Sequence, residues 1–497
     1  MSCEYRLTRL ILIQGLGLVY LNAFAILLFQ GPTLWGQAGL APIAEFAQTA
    51  QAQLGPGAWT AFWKWPSLFY FLPVERALHF LPAIGILIAI AMTLGFANLP
   101  MLLTVWLIQL SFVNMGQVLY GYGWETQLCE FTFLCFFLVP PLDPDLRKSP
   151  FPAAAVVIWA QRWMLFRLML GAGLIKIRGD ECWRDLTCLV YHYETQPNPH
   201  PLSYFFHLMP AWFHKVGVLF NHFVELAVPF GLFGPKSLRR AAGLLTIAFQ
   251  GTLILSGNLA WLNWLTLLMC IPCFDDEFFR RIWAWFHRTP SVVDFEPAPI
   301  KKWERVRQGI FAILILWLSA GPALNLVSDR QMMNTSYNQW HLVNSYGAFG
   351  SIGKERYAVI IQGTTDRQLG PDSQWSEYVF KCAPGPTDRR PCLITPYHYH
   401  LDWQIWFSSM RPELQEEWLF RLVVRLLENQ TNVKNLFAST PFDDQPPRFI
   451  KMDLYRYRFA DFEDWPEHWW SREKIKEYMP PISLDTPLVK SFISKAK

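Results

Sequence analysis

Long apolar blocks fill residues 1–327 of this 497-residue chain, and none of similar length follows. A helix needs about 20 apolar residues to cross a bilayer. Blocks near that length lie at 10–29, 76–96, 99–119, 126–141, 153–175, 216–233, 241–257, 259–274 and 308–327. They predict a membrane α-helical bundle of about nine spans, an odd number, followed by a lumenal α+β domain. The blocks at 126–141 and 259–274 are short, which suits re-entrant or buried helices. Residues 10–29 read as a span rather than a signal peptide, because bulky Leu27, Leu28 and Phe29 replace the small residues of a cleavage site.

Composition and charge agree with this reading. Charged residues make up 16% of the chain, against about 25% in soluble domains. The net charge of +4 is spread out, which argues against nucleic acid as a partner. Positive residues set orientation. They cluster at Arg6 and Arg9, at Arg147 and Lys148, at Lys236, Arg239 and Arg240, and at Arg280, Arg281, Arg288, Lys301, Lys302, Arg305 and Arg307. Nine spans put all four clusters on the cytoplasmic side. The loop 176–215 and residues 328–497 then face the lumen or periplasm, giving a transmembrane domain at 1–327 and a soluble domain at 328–497.

In that soluble domain, 357–362, 378–382 and 448–459 read as strands between Gly, Asp and Pro turn signals. Leu414, Trp418, Leu422 and Leu426 recur every four residues and predict an amphipathic helix over 412–428. The expected domain is strand-dominated and β-sandwich-like, with a loosely ordered tail beyond Pro480.

Charge is densest just after the fifth block. Gly171–His207 holds Lys176, Arg178, Asp180, Glu181, Arg184, Asp185, His192 and Glu194. If the helix continues, Lys176 with Asp180 and Asp180 with Arg184 stack at four-residue spacing as an ion-pair anchor. The sharper reading is a polar site inside the bundle. Arg162 and Arg167 support it, since charge at that depth needs a partner or a cavity. Glu125, Glu130 and Glu225 are the candidate partners.

His192, His200, His207, His214 and His222 crowd one stretch. None forms the close pair that a tetrahedral metal site needs, so no metal is expected. Cys382 and Cys392 bracket a Pro-Gly-Pro turn and are expected to form a disulfide. Cys182 and Cys188 can pair only if the preceding helix stops short of them. Cys129 and Cys135 read as inert core thiols, and Cys270-Ile-Pro-Cys273 as a chance CxxC spacing. No nucleophile elbow, phosphate loop or dinucleotide fingerprint is present.

Several long blocks carry a resemblance: Gly171–His207, NHFVEL at Asn221–Leu226, SGNLAWLNWL at Ser256–Leu265, CFDD at Cys273–Asp276, LVNSYGAFG at Leu342–Gly350, Trp375–Phe407 and LYRYRF at Leu454–Phe459. Together they resemble the lipase maturation factor family. The resemblance implies a multi-pass protein of the endoplasmic reticulum membrane (a bacterial relative would lie in the inner membrane), without cofactor, that helps secreted lipases reach their active form. Its partners would be protein clients on the lumenal side and membrane lipid. The residues that carry the signature are Lys176, Arg178, Asp180, Trp183, Arg184, Asp185, Tyr191, His192, Glu194, Asn221, His222, Glu225, Trp403 and Trp406. Of the CxxC pair, only Cys273 falls in a matching block. The family is in turn distantly similar to the vitamin K-dependent carboxylase group. That implies an alternative, a membrane enzyme with a buried base at Lys176, His192 or His222. The two readings differ in what they require. An enzyme needs such a base in a ligand-sized cavity, whereas an assembly factor needs exposed apolar surface for its client.

Overall fold

The computed structural model describes residues 5–151, 153–286, 302–410, 416–442 and 445–495. The first apolar block becomes α1 (Arg6–Trp35). The short helices α2 (Ile43–Leu54) and α3 (Ala58–Lys64) lead to α4 (Val74–Thr93), which packs along α1. Glycine makes that approach possible. A Cβ on Gly17 would lie 2.7 Å from the Thr93 backbone nitrogen, and one on Gly85 would lie 2.4 Å from the Phe24 ring. Small residues at helix crossings substitute for the hydrophobic drive that lipid cannot supply.

A hairpin follows, formed by α5 (Leu99–Met115), N-capped by Asn98, and α6 (Gly123–Cys135). Then come α7 (Ala155–Arg178), the short α8 (Glu181–Arg184), α9 (Cys188–Thr195) and α10 (Pro201–His207), and α11 (Ala211–His222). A π turn (Phe223–Ala227) and a 3-10 turn (Val228–Phe233) extend α11. A second hairpin is α12 (Lys236–Ser256) with α13 (Leu262–Met269), followed by α14 (Asp276–Trp285). The helical region closes with α15 (Lys302–Leu318) and α16 (Ala320–Val327).

Nine spans is an overcount. Among the described residues, five helical segments are long and apolar enough to cross a membrane: Arg6–Trp35, Val74–Thr93, Ala155–Arg178, Ala211–Phe233 and Lys302–Val327. The other four blocks fall short for local reasons. α5 has 17 residues; α6 has 13 and buries Glu125 and Glu130. α12 opens with Lys236, Arg239 and Arg240, and α13 has 8 residues. The four form two hairpins, so their loss leaves an odd number.

The bundle has two chemically distinct ends. At one, Arg6 donates to Ser149 O (2.8 Å), Thr8 N–H to Asp276 (2.9 Å) and Arg239 to Cys273 O (3.1 Å), while Lys236 meets Asp275 at 2.9 Å. Arg147 and Arg9 lie there too. Arg288 and Lys301 lie outside the described residues. The other end carries the C-terminal region: Gln30 donates to His398 O (2.7 Å), Gln404 to Val118 O (2.6 Å) and Asn258 to Cys392 O (2.9 Å).

In the C-terminal region, β1 (Thr335–Ser336) pairs with β2 (Asn344–Ser345). β3 (Arg356–Thr364) and β4 (Ser376–Glu377) precede β5 (Val379–Phe380), which pairs with β6 (Phe437–Ser439). β7 (Phe449–Phe459) and β8 (Trp470–Ile482) complete one antiparallel sheet of order β4-β3-β7-β8. The helices are α17 (His400–Ser409), α18 (Glu417–Leu427), α19 (Thr431–Lys434) and α20 (Pro487–Lys495). Alternation along the strands splits the two faces. Val359, Ile361, Met452 and Leu454 join the core under α17 and α18, while Ile360, Tyr457 and Phe459 pack on Tyr204 of α10. Helices therefore cover both faces, and no second large sheet makes a β-sandwich among the described residues. β8 and α20 order the tail. The amphipathic helix is seen at Glu417–Leu427; 412–415 lie outside the described residues.

Candidate functional site

The charged segment after α7 does not continue as a helix. α7 stops at Gly179 (φ −82°, ψ −106°), where a Cβ would sit 2.4 Å from Gly350 O. Asp180 then turns the chain. Its N–H donates to Gly350 O (3.0 Å), and its carboxylate caps Cys182 N–H (3.0 Å) and accepts from Ile352 N–H (3.2 Å). The four-residue ladder of charges therefore does not form. The break brings Cys182 and Cys188 to disulfide distance, with Cα atoms 4.7 Å apart; Cys382 and Cys392 lie at 5.2 Å. Cys270 and Cys273 are buried and free.

Lys176 pairs across the bundle instead. Its ammonium donates to both carboxylate oxygens of Glu225 (2.7 and 2.8 Å) and to Asn221 Oδ1 (2.9 Å), and it lies 4.9 Å from the centre of the Trp183 ring. Asn221 Nδ2 also binds Glu225 (3.0 Å). The π turn after α11 carries Glu225; such turns often mark functional positions. All three ammonium protons have acceptors, so this Lys176 is a paired cation rather than a free base.

Arg167 pairs with Glu130 and donates to Asn344 O. Glu130 also accepts from Asn344 N–H (2.8 Å) and Tyr346 OH (2.7 Å), which ties the 342–350 segment into the bundle. Among the described residues Arg162 meets no carboxylate; it donates to Pro272 O (2.8 Å) and Tyr5 OH (3.0 Å). Glu125 accepts from Gln109 (2.8 Å).

The other signature residues join the helical end to the C-terminal region. Arg178 donates to Leu326 O and Gln331, and Trp183 Nε1 to Phe349 O (2.9 Å). His222 Nε2 meets Trp183 O (3.0 Å). Tyr191 packs on the disulfide cluster around Cys182. His192 packs edge-on against Phe349. Glu194 accepts from Phe459 N–H (2.7 Å), and Trp406 Nε1 donates to Thr195 O (3.0 Å). Arg356 donates to the carbonyls of Glu194, Gln196 and Pro197. Arg184 and Asp185, with Glu181, remain exposed.

Lys176, Trp183, His192, Asn221, Glu225, Trp403 and Trp406 line a cavity of about 410 Å³ between the bundle and the C-terminal region. His222 does not line it. Gln127, Gln250, Asn263 and Thr266 add further polar groups to the lining, with Gln250 accepting from Asn263 (2.7 Å). The sequence reading missed these four. Their signal was present as amides and a hydroxyl inside apolar blocks, which merit the attention given to charges. Among the described residues, no three His, Cys, Asp or Glu side chains converge as a metal site would require.

Burial keeps several histidines neutral. It pushes His192, His207 and His341 down to about 4 and His400 to about 3, with His398 well below its usual range. Burial also raises Glu194, and Asp402 to about 6. A histidine whose folded value is depressed stabilises the fold above the unfolded value of 6.5, and that stability is lost as pH falls toward 4. The raised carboxylates, which include Glu125 and Glu130, act in the opposite sense but are outnumbered by the depressed histidines. The melting temperature of the purified protein is therefore expected to fall between about pH 6.5 and 4; a melting temperature unchanged at pH 4.5 contradicts neutral burial.

Two family models match the chain. One, described as the lipase maturation factor transmembrane domain, covers residues 7–281; the other, the lipase maturation factor C-terminal domain, covers 342–480. Lipase maturation factor 1 of Bos taurus is 40% identical over 504 residues, spanning 96% of this chain and 89% of the relative. The Homo sapiens protein of the same name is 40% identical over 96% of this chain and 88% of its own length. Lipase maturation factor 2 of Xenopus tropicalis is 27% identical over 99% of this chain and 84% of its own. No solved structure matches.

Proposed function

Since the chain belongs to the lipase maturation factor family, we propose that it is a membrane-resident, chaperone-like factor that helps secreted lipases reach their active folded form. What carries this reading is that the likeness to relatives named for lipase maturation runs through both the helical and the C-terminal regions. The proposed setting is the endoplasmic reticulum membrane. Residues 1–327 form the membrane domain, and the 176–215 loop and 328–497 face the lumen. Counting five spans supports this setting, since Arg6 and Arg9, Arg147 and Lys148, the 236–240 cluster and the 280–307 cluster would then share one side. The charge-dense segment and the C-terminal region would share the other.

On that side the client-facing surface combines two features. Glu181, Arg184 and Asp185 project from α8 and its end. The β7–β8 turn presents Phe462, 61% exposed and stacked on Trp465, which also touches Phe205. Exposed aromatics together with exposed charge suit a partly folded apolar client. Binding fits the Lys176 geometry better than base catalysis does, because Glu225 and Asn221 occupy its protons.

The test is specific activity of a secreted lipase in cells lacking their own maturation factor. Expression of this chain is expected to restore activity per unit of secreted lipase. Phe462→Asp combined with Arg184→Glu is expected to lower that rescue several-fold at unchanged abundance of the factor. No gain in lipase activity on expressing the chain sinks the proposal.

A further inference from the structure

We propose that the cavity between the bundle and the C-terminal region binds one neutral single-chain amphiphile of the monoacylglycerol class, taken from the membrane. This goes beyond the maturation role and does not rest on it. The volume, about 410 Å³, lies within the range of small-molecule sites, about 300–1,000 Å³. The cavity sits where membrane and water meet. Lys176 lies two residues from the end of α7, and exposed Met333 and Asn334, just after α16, border the cavity as its mouth.

The lining defines the occupant. Phe249, Leu262 and Trp403 supply apolar wall for a chain. Among the described lining residues, Lys176 and Glu225 alone carry full charge, and they neutralise each other. A carboxylate or phosphate head would therefore bring charge with no counter-charge to meet it, which is costly in a buried site. Three lining residues each hold a buried polar atom with no protein partner among the described residues: Trp124 Nε1, Gln127 Oε1 and His192 Nδ1. Buried polar atoms are nearly always hydrogen-bonded. The amide oxygen needs a donor, and a neutral imidazole nitrogen takes either role. Such atoms call for a head group that both donates and accepts hydrogen bonds, and a glycerol head does so without adding charge. A hydrocarbon without hydroxyls offers them nothing.

The test uses the full-length protein in nanodiscs with a monoacylglycerol that bears a diazirine in its acyl chain. Crosslinks are expected on α6, α12 and α13 residues that line the cavity. Excess unlabelled monoacylglycerol should suppress them; equal oleate or lysophosphatidylcholine should not. Met169→Trp, which fills the cavity, is expected to abolish labelling, whereas Leu255→Trp on the exposed face of α12 leaves it intact. If Met169→Trp does not fold, Gln127→Leu serves, with an expected loss of affinity of about tenfold. Labelling spread over the lipid-facing helices, equal competition by oleate, displacement by a lipase client alone, or labelling unmoved by the variants each overturns the proposal.

Discussion

Lys176→Met is expected to destabilise the protein by about 3–5 kcal/mol, because it leaves Glu225 buried without its cation. Both side chains are nearly inaccessible, at 7% and 5% exposure. Water therefore does little to screen the orphaned carboxylate, and Asn221 alone cannot replace three ammonium protons. The reverse variant, Glu225→Met, strands the ammonium and should cost a similar amount. Removing both charges together, as Lys176→Met with Glu225→Met, should recover most of the loss, since a buried pair exchanged for apolar side chains of similar size is often close to neutral. A residue of about 1 kcal/mol should remain for the amide of Asn221. Thermal unfolding of the four proteins in detergent, read as a double-mutant cycle, checks this. A single variant that melts with the wild type means that the pair does not form. The double variant also separates the two functional readings. An assembly factor with a structural pair keeps its lipase rescue, whereas an enzyme with a lysine base loses it despite normal stability.

The sequence exposed the class of this molecule because hydropathy is a local property. Block lengths alone gave a helical membrane region, then a mixed region with strands. Span count failed where length had to be weighed against polarity inside a block, as with Glu125 and Glu130 in α6. Strand β8 escaped because WSREKIKEYMPPI is dense in charge and ends in paired prolines, which hide a strand pattern. Charge and proline are also what an edge strand uses to avoid adding a further strand, so the same residues serve either reading. The densest charge was visible, but its partners were not. Lys176 finds Glu225 49 positions away, and Asp180 finds Ile352 172 away. The second pairing follows from a local event, the helix break at Gly179, whereas the first depends on how α7 packs against the turn after α11. The cavity was the least legible feature, since its walls come from six or more separated segments.

Arg356→Met is expected to cost about 3 kcal/mol or more, since it takes the shared donor from the carbonyls of Glu194, Gln196 and Pro197. The guanidinium is 2% exposed, and burial pulls its value down to about 10, so it stays charged at neutral pH. It binds backbone rather than side chains, which makes the contact insensitive to what residues 194–197 are and dependent on how they are folded. Arg356→Lys should recover only a minor part, because an ammonium lacks the planar fork that reaches three carbonyls from one position. Hydrogen exchange by mass spectrometry checks the consequence directly. Exchange in 192–200 should rise strongly in Arg356→Met, while the basic end of the bundle, around Arg9 and Asp276, stays protected. Equal protection of 192–200 in variant and wild type means that the clamp does not hold the segment. The functional consequence follows from the same contact. Arg356 and Phe459 hold residues 194–197 of the charged segment onto the sheet, so loosening them changes how that segment is presented relative to the aromatic turn at Phe462. If one client spans both, lipase rescue falls in Arg356→Met even where enough protein survives to reach wild-type abundance.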